Sequence, residues 1–251
     1  MSEYQITGKD WESIASGQRV EFKSPDGLEV KILNVDNVKE ALSAQNSDKP
    51  LLIFVSGTSE SGKSTFGKLA VQSGIAHRLK IYKTLAELSG AEGLPEMTGN
   101  PFDYATLLEV DSGKIEKAGH EIASRYVSLM QETDVPIAVV ETIKHKWMAE
   151  QFRRNPDIRF LSVLIDADLE QRVAREAKKT GKPLDEVRAE VLRKDDWKQA
   201  LGSEDVGSTA DIYVLNNGDY ETYEQMITSF LETLRGSTQT YSGKARDYSL
   251  D

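Results

Sequence analysis

Leu51-Leu52-Ile53-Phe54-Val55 is an uninterrupted apolar run of strand length. A strand with water on one side alternates apolar and polar residues. One buried on both sides does not, so this run predicts the interior of a parallel sheet. Ile137-Ala138-Val139-Val140, Phe160-Leu161-Ser162-Val163-Leu164-Ile165 and Ile212-Tyr213-Val214-Leu215 have the same character. Helices are predicted over 114–132, 147–153, 168–180, 184–200 and 220–235. This alternation argues for an α/β fold with a parallel sheet covered by helices. The first 49 residues read differently. Val20 and Phe22, then Leu28, Val30 and Ile32, alternate around Ser24-Pro25-Asp26-Gly27, a β-hairpin pattern with turn chemistry. Residues 36–45 follow as a short helix capped by Asp36 or Asn37. The end of the chain, from 236 to 251, is polar and aperiodic and predicts a loose tail.

Directly behind the first run stands SGTSESGKST, residues 56–65. It contains G-x-x-x-x-G-K-[ST], spelled by Gly57, Gly62, Lys63 and Ser64. A helix over STFGKLAVQSG, ending at Gly74, follows it. Strand, glycine-rich turn and helix is the context a phosphate-binding loop requires. The glycines let successive N–H groups point inward at an anion, and the helix start adds unpaired N–H groups and a positive dipole end. The loop from Gly57 through Thr58, Ser59, Glu60, Ser61, Gly62, Lys63 and Ser64 to Thr65 is therefore expected to cradle a nucleotide's phosphates. Lys63 supplies a mobile charge for the outer phosphates, and the Ser64 hydroxyl is placed to hold Mg²⁺.

Composition narrows the surroundings. The chain has 251 residues, 39% hydrophobic and 29% charged, which is ordinary for a globular protein. A formal charge of −10 argues against bulk electrostatic attraction to nucleic acid or an anionic membrane. With no cysteine there is no disulfide, thiolate catalysis or thiolate metal site. No run approaches the roughly 18 apolar residues of a spanning helix, and no signal-peptide pattern opens the chain, so a cytoplasmic location is expected.

The same loop serves switches, motors and kinases. A guanine-reading N-K-x-D or T-K-x-D segment is missing, since RKDD at 193 and NNGD at 216 do not match it. A motor-type ATPase would usually show an apolar strand ending in Asp-Glu, whereas this one ends VVETI. A third class fits better. DADLEQRVAREAKKTGKPLDEVRAEVLRKDD and the later ADIYVLNNGDYETYEQMI resemble the C-terminal half of small-molecule P-loop kinases, in particular the nucleoside monophosphate kinase and dephospho-coenzyme A kinase group. The resemblance covers roughly 51–73 and 137–230. It implies a three-layer α-β-α sandwich over 50–235 with a lid around 172–200, ATP and Mg²⁺ as cofactors, and a small-molecule acceptor. Residues 1–49 would then be an addition serving packing or homodimerisation.

The residues agree with that resemblance. Arg172, Arg175, Lys179 and Lys182 share one helix face, either a solvated basic face or a cationic lid that steadies transferred charge. Arg172 and Arg175 match the two arginines at the family's lid entrance, and Arg188 and Arg193 are further lid candidates. Asn217 and Gly218 fall where the resemblance places the loop bordering the adenine, or form an ordinary strand-to-helix turn. Glu141, in VVETIKHKW, stands where the family carries Asp, and Lys144 where it carries Arg. Glu141 is therefore the candidate general base or metal-water ligand, with Asp111 as a rival whose alternative role is a helix cap. On the acceptor side HRLKIYKT brings His77, Arg78, Lys80 and Lys83 to a strand edge. Such a basic edge suits an acceptor already carrying phosphate or carboxylate. Arg78, Lys80 and Lys144 are the candidate acceptor contacts. Residues 84–113 are expected to cover the substrate, with Phe102 and Tyr104 available to stack on a base or pack in the core. His120 and His145 are isolated, so no metal-ligand cluster is expected. The whole reads as an ATP- and Mg²⁺-dependent kinase for a small anionic acceptor, most plausibly a nucleotide or nucleotide-like metabolite. The alternative is a nucleotide-binding regulatory protein with little turnover.

Overall fold

The computed structural model describes residues 6–18, 20–43, 49–80, 112–141, 146–200, 203–236 and 243–248. In chain order they form α1 (Gly8–Ala15), β1 (Glu21–Lys23), β2 (Leu28–Ile32), α2 (Val35–Ser43), β3 (Leu51–Ser56), α3 (Lys63–Gln72) and β4 (His77–Lys80). Then come α4 (Ser112–Glu132), β5 (Ile137–Glu141), α5 (Lys146–Arg154), β6 (Arg159–Asp166), α6 (Leu169–Thr180), α7 (Leu184–Ala200), α8 (Ser203–Gly207), β7 (Ile212–Asn216) and α9 (Tyr220–Gly236). The predicted strands and helices are present, shifted at their ends by one or two residues. Lys83, Asp111, Lys144, His145, Phe102 and Tyr104 lie outside the described residues. So does the expected covering segment 84–113, except for its last two residues, which open α4.

The seven strands make one sheet in the order β1-β2-β7-β6-β3-β5-β4. β3 runs parallel to β5 and β6, β4 to β5, and β7 to β6. Every residue of β3 is buried, and its side chains part by turns. Leu51, Ile53 and Val55 enter a core shared with α1, α2, α3 and α9. Leu52 and Phe54 enter a second core with α4 and α5. An uninterrupted apolar run is what such a two-sided strand demands.

The hairpin forms as expected and extends the sheet. β2 lies antiparallel to β7, from Leu28 opposite Asn216 to Ile32 opposite Ile212. Its alternation is satisfied one-sidedly, with Leu28, Val30 and Ile32 in the first core. α1, which the sequence reading omitted, is closed by a capping box: the Thr7 N–H and hydroxyl both donate to Asp10 Oδ2, at 2.8 and 2.9 Å. Its Trp11 packs on Phe230 at 4.7 Å between ring centroids, and the indole N–H donates to Ser229 Oγ at 3.1 Å. Among the described residues no helix is long and apolar enough to cross a membrane.

The loose tail needs correction for residues 243–248. This segment runs parallel beside β4, bridged between Arg78 and Asp247. The Arg78 N–H donates to Arg246 O at 3.0 Å, and Arg78 O accepts the Tyr248 N–H at 2.9 Å. Backbone groups left open at the sheet edge find partners there, which aperiodic polar sequence does not reveal.

His77, fully buried in β4, secures the same segment. Its Nδ1 accepts the Arg246 N–H at 3.0 Å, so Nε2 carries the proton and donates to Thr133 Oγ1 at 2.6 Å. Burial pushes its pKa down from 6.5 to about 4. A depressed pKa means a stabilising contribution present above 6.5 and lost as pH falls through 4. Urea unfolding between pH 7 and 4 is expected to lose on the order of 3 kcal/mol through this group. His77→Gln is expected to flatten that part of the profile, and an unchanged profile would contradict the assignment.

Candidate functional site

The loop after β3 turns under its neighbours before α3 begins. Gly57 and Gly62 have φ of 131° and 111°, a region closed to most side chains. A Cβ at position 57 would overlap the Ile165 carbonyl, and one at 62 would lie 2.7 Å from Asn216 Nδ2. The loop is fastened from several elements at once. Thr58 Oγ1 donates to Asp166 Oδ1 at 2.6 Å, Asn216 Nδ2 to Ser61 O at 2.8 Å, and Tyr223 OH to Gly62 O at 3.1 Å. Ser59 is gripped by α6 and α7: its N–H donates to Asp195 Oδ1 at 2.9 Å, its carbonyl accepts Arg172 Nη1 at 3.2 Å, and its Oγ accepts Lys198 Nζ at 2.8 Å. A backbone held this way stays open towards an anion without collapsing, and the α3 N-terminus points into the same space.

That space is a cavity of about 860 Å³. Ser59 to Thr65 form one wall, and α6, α7 and the start of α9 form the others. Seven cationic side chains reach it, among them Lys63, Lys68, Arg175, Lys179, Lys194 and Lys198, against the acids Glu60, Glu176 and Asp219. The chain as a whole is acidic at −10, so this concentration of positive charge is local. The Lys63 ammonium donates to Thr58 O. Burial, then the nearby charge of Lys198, lowers its pKa to about 7. Burial likewise lowers Lys198 to about 8. Both cations are half-buried and face the same cavity, an arrangement that a polyanion relieves.

Glu141 ends β5 beside this wall and is 1% exposed. Arg78, from the adjacent β4, neutralises it: Nε donates to Oε1 at 2.6 Å and Nη2 to Oε2 at 3.1 Å. Ser64 Oγ, in the first turn of α3, also donates to Oε2, at 3.2 Å. Gly67 in α3 makes room for the pair, because a Cβ there would overlap Glu141 Oε1 and stand 2.9 Å from Arg78 Nε.

The structure brings together most of the loop residues with Glu141, Arg175 and Gly218. Arg175 lines the cavity and donates to Gly218 O at 2.6 Å. Two expectations are corrected. Arg172 does not line the cavity: it is buried, and its guanidinium donates to Ala167 O, Ser59 O and Asp195, so it braces the loop from behind. Arg78 is no free acceptor contact either, since its nitrogens are committed to Glu141 and, through Nη1 at 2.9 Å, to Asp247. Lys80 stays half-buried at the end of β4, opposite Glu141 in the register. The Asn217 side chain turns to Asp168, accepting its N–H and donating to Oδ2, both at 2.8 Å. Arg188 is half-buried, paired with Glu170, and does not line the cavity. Asp195, Lys194, Lys198, Asn216 and Tyr223 were missed. Each is held to the loop across a long sequence separation, and only the basic, acidic RKDD stretch offered a hint.

No protein-family model and no curated protein matches the chain. Solved structures do. TT1252 from Thermus thermophilus is 20% identical, over 74% of this chain and 98% of that one, at a TM-score of 0.48. Shikimate kinase from Bacteroides thetaiotaomicron is 16% identical, over 74% and 96%, at 0.45. Dephospho-CoA kinase from Campylobacter jejuni is 16% identical, over 73% and 96%, at 0.39. The chemistry considered below rests on the site itself.

Gly67→Ala tests the close approach of α3 to the buried pair. Alanine favours a helix by up to about 1 kcal/mol, but overpacking here is expected to cost about 1–3 kcal/mol. Urea unfolding is expected to show a net loss, and a variant as stable as the parent would contradict the packing described.

Proposed function

We propose that the chain is an ATP- and Mg²⁺-dependent phosphotransferase acting on a small anionic acceptor, a nucleotide or nucleotide-like metabolite. The observation that carries this reading is the cationic cavity walled by the phosphate loop, with Ser64 and Glu141 hydrogen-bonded beside it. The N–H groups from Ser61 to Thr65 and the Lys63 ammonium would hold the β- and γ-phosphates. Arg175 and the lysines of α6 and α7 would offset the charge that phosphoryl transfer spreads over the equatorial oxygens. Arg172 would serve by holding Ser59 in place. Asn217 and Gly218 would border the base, mainly through backbone groups.

The donors present suit Mg²⁺. Ser64 and Glu141 offer only oxygen, and among the described residues no group of three His, Cys, Asp or Glu could form a metal cage. Mg²⁺ keeps several waters and is commonly held by one or two protein oxygens plus substrate phosphates. Ser64 Oγ would be a direct ligand, and Glu141, with both oxygens already engaged by Arg78, would orient a metal-bound water. Bound there, the ion supplies Lewis-acid neutralisation of the phosphate oxygens. Helices α6 and α7 close one side of the cavity, and their hold on Ser59 and Glu60 would keep water from the reacting phosphate.

Incubation with Mg·ATP and a pooled metabolite extract is the direct test. ADP is expected to rise with added extract, and one metabolite is expected to gain the mass of one phosphate. Lys63→Ala is expected to fold normally by circular dichroism and lose at least about 100-fold in rate. Retained activity in that variant would contradict the site. Tight nucleotide binding without acceptor-dependent ADP would instead support a regulatory nucleotide-binding role.

A further inference from the structure

The segment Gly243–Tyr248 does more than cover the edge of the sheet. Asp247, paired in register with Arg78, accepts from Arg78 Nη1 at 2.9 Å. The other two guanidinium nitrogens hold both oxygens of Glu141, and Glu141 Oε2 accepts the Ser64 hydroxyl. One line of charge-assisted contacts therefore runs from the C-terminal segment to the hydroxyl that opens α3. Arg78 and Glu141 are 3% and 1% exposed, so the pair is held mainly by its protein partners. The guanidinium is planar, and its hold on Glu141 is bidentate, so fixing the third nitrogen fixes the plane in which the carboxylate sits. The arrangement is built closely at both ends. Gly67 leaves space for the pair, and at Gly243 a Cβ would overlap the carbonyl of Thr133, so that segment seats directly against the end of α4.

We propose that Asp247 is a positioning residue for the phosphoryl-transfer site: it holds Arg78 so that Glu141 presents Oε2 towards Ser64 and the metal. This rests on the reading of Ser64 and Glu141 as the metal end of the site. Were Asp247 neutral, the buried Arg78 Nη1 would lose its charged acceptor, and the guanidinium would turn away from its present plane. The Glu141 carboxylate would turn with it. The C-terminal segment would then belong to the site although Gly243–Tyr248 do not line the cavity.

Mn²⁺ binding to the ADP-saturated protein, followed by electron paramagnetic resonance, tests this without any acceptor. Asp247→Asn is expected to weaken Mn²⁺ about 10-fold or more, the usual effect of losing an outer-shell partner, while metal-free ADP binding is unchanged. Asp247→Glu, which restores the charge, is expected to recover most of the affinity. Asp247→Ser gives the same reading should the Asn variant not fold. His77→Gln loosens the same segment without touching the guanidinium and is expected to lower the melting temperature but spare the metal. Wild-type Mn²⁺ affinity in Asp247→Asn would overturn the inference, as would equal losses in Asp247→Asn and His77→Gln. If the parent protein itself binds no Mn²⁺ with ADP, the reading of the metal end fails and carries the inference with it. Binding by the parent and an unaltered Asn variant would sink the inference alone.

Discussion

The loop after β3 passes so close to β6 that no side chain fits at position 57, and most of the site follows from that approach. A turn pressed against the sheet brings its carbonyls and N–H groups within reach of the ends of β6 and β7. Asp166 and Asn216, the last residues of those strands, take up Thr58 and Ser61. Tyr223 then reaches Gly62 from α9, and burial raises its pKa, keeping the hydroxyl protonated as a donor. The loop is thus set from beneath by strand ends and from the side by α6 and α7. What stays open is the concave side lined by N–H groups. An anion site made in this way needs little rearrangement when filled.

Charge is arranged with equal economy. The chain is acidic overall, yet the cavity is cationic, and the buried Glu141 beside it is neutralised by Arg78. Pairing by a bidentate guanidinium offsets the hydration a carboxylate loses in a buried place, where alone it would be costly. Behind the loop, Asp195 is drawn the other way. Burial raises its pKa, but the Ser59 N–H and the Arg172 guanidinium outweigh that and hold it below the usual carboxylate range. It therefore remains an anion gripping the loop while Lys63 and Lys198 stand ready for the ligand's charge.

The legible parts of the sequence were those set by neighbours along the chain. The apolar run of β3, the glycine spacing behind it and the alternation around Asp26-Gly27 each carry their meaning within about ten residues, and each corresponds to what forms. Helix α1 was equally legible through Thr7 and Asp10 but was passed over. The shared helix face holds for Arg172, Arg175 and Lys179, but α6 ends at Thr180 and Gly181 turns the chain, so Lys182 lies beyond it. Arg172 faces into the loop, Lys179 lines the cavity, and Lys182 pairs with Glu186 and Glu190 at the surface. Spacing says which residues are neighbours, not what lies opposite them. For the same reason Arg78 looked like a free cation at a basic edge. Its partner Glu141 is 63 positions away, and only the register of β4 against β5 brings the two together. Asn216 and Ser61, 155 positions apart, meet in the same long-range manner.

The central claim is that this loop and the Ser64–Glu141 pair hold a metal nucleotide. A crystal structure with Mg·ADP tests it most directly. The account predicts the β-phosphate among the N–H groups of Ser61 to Thr65, Mg²⁺ bound to Ser64 Oγ, and Glu141 reaching the ion through a water while still paired with Arg78. A nucleotide lodged elsewhere, or a metal with no contact to Ser64, would contradict it.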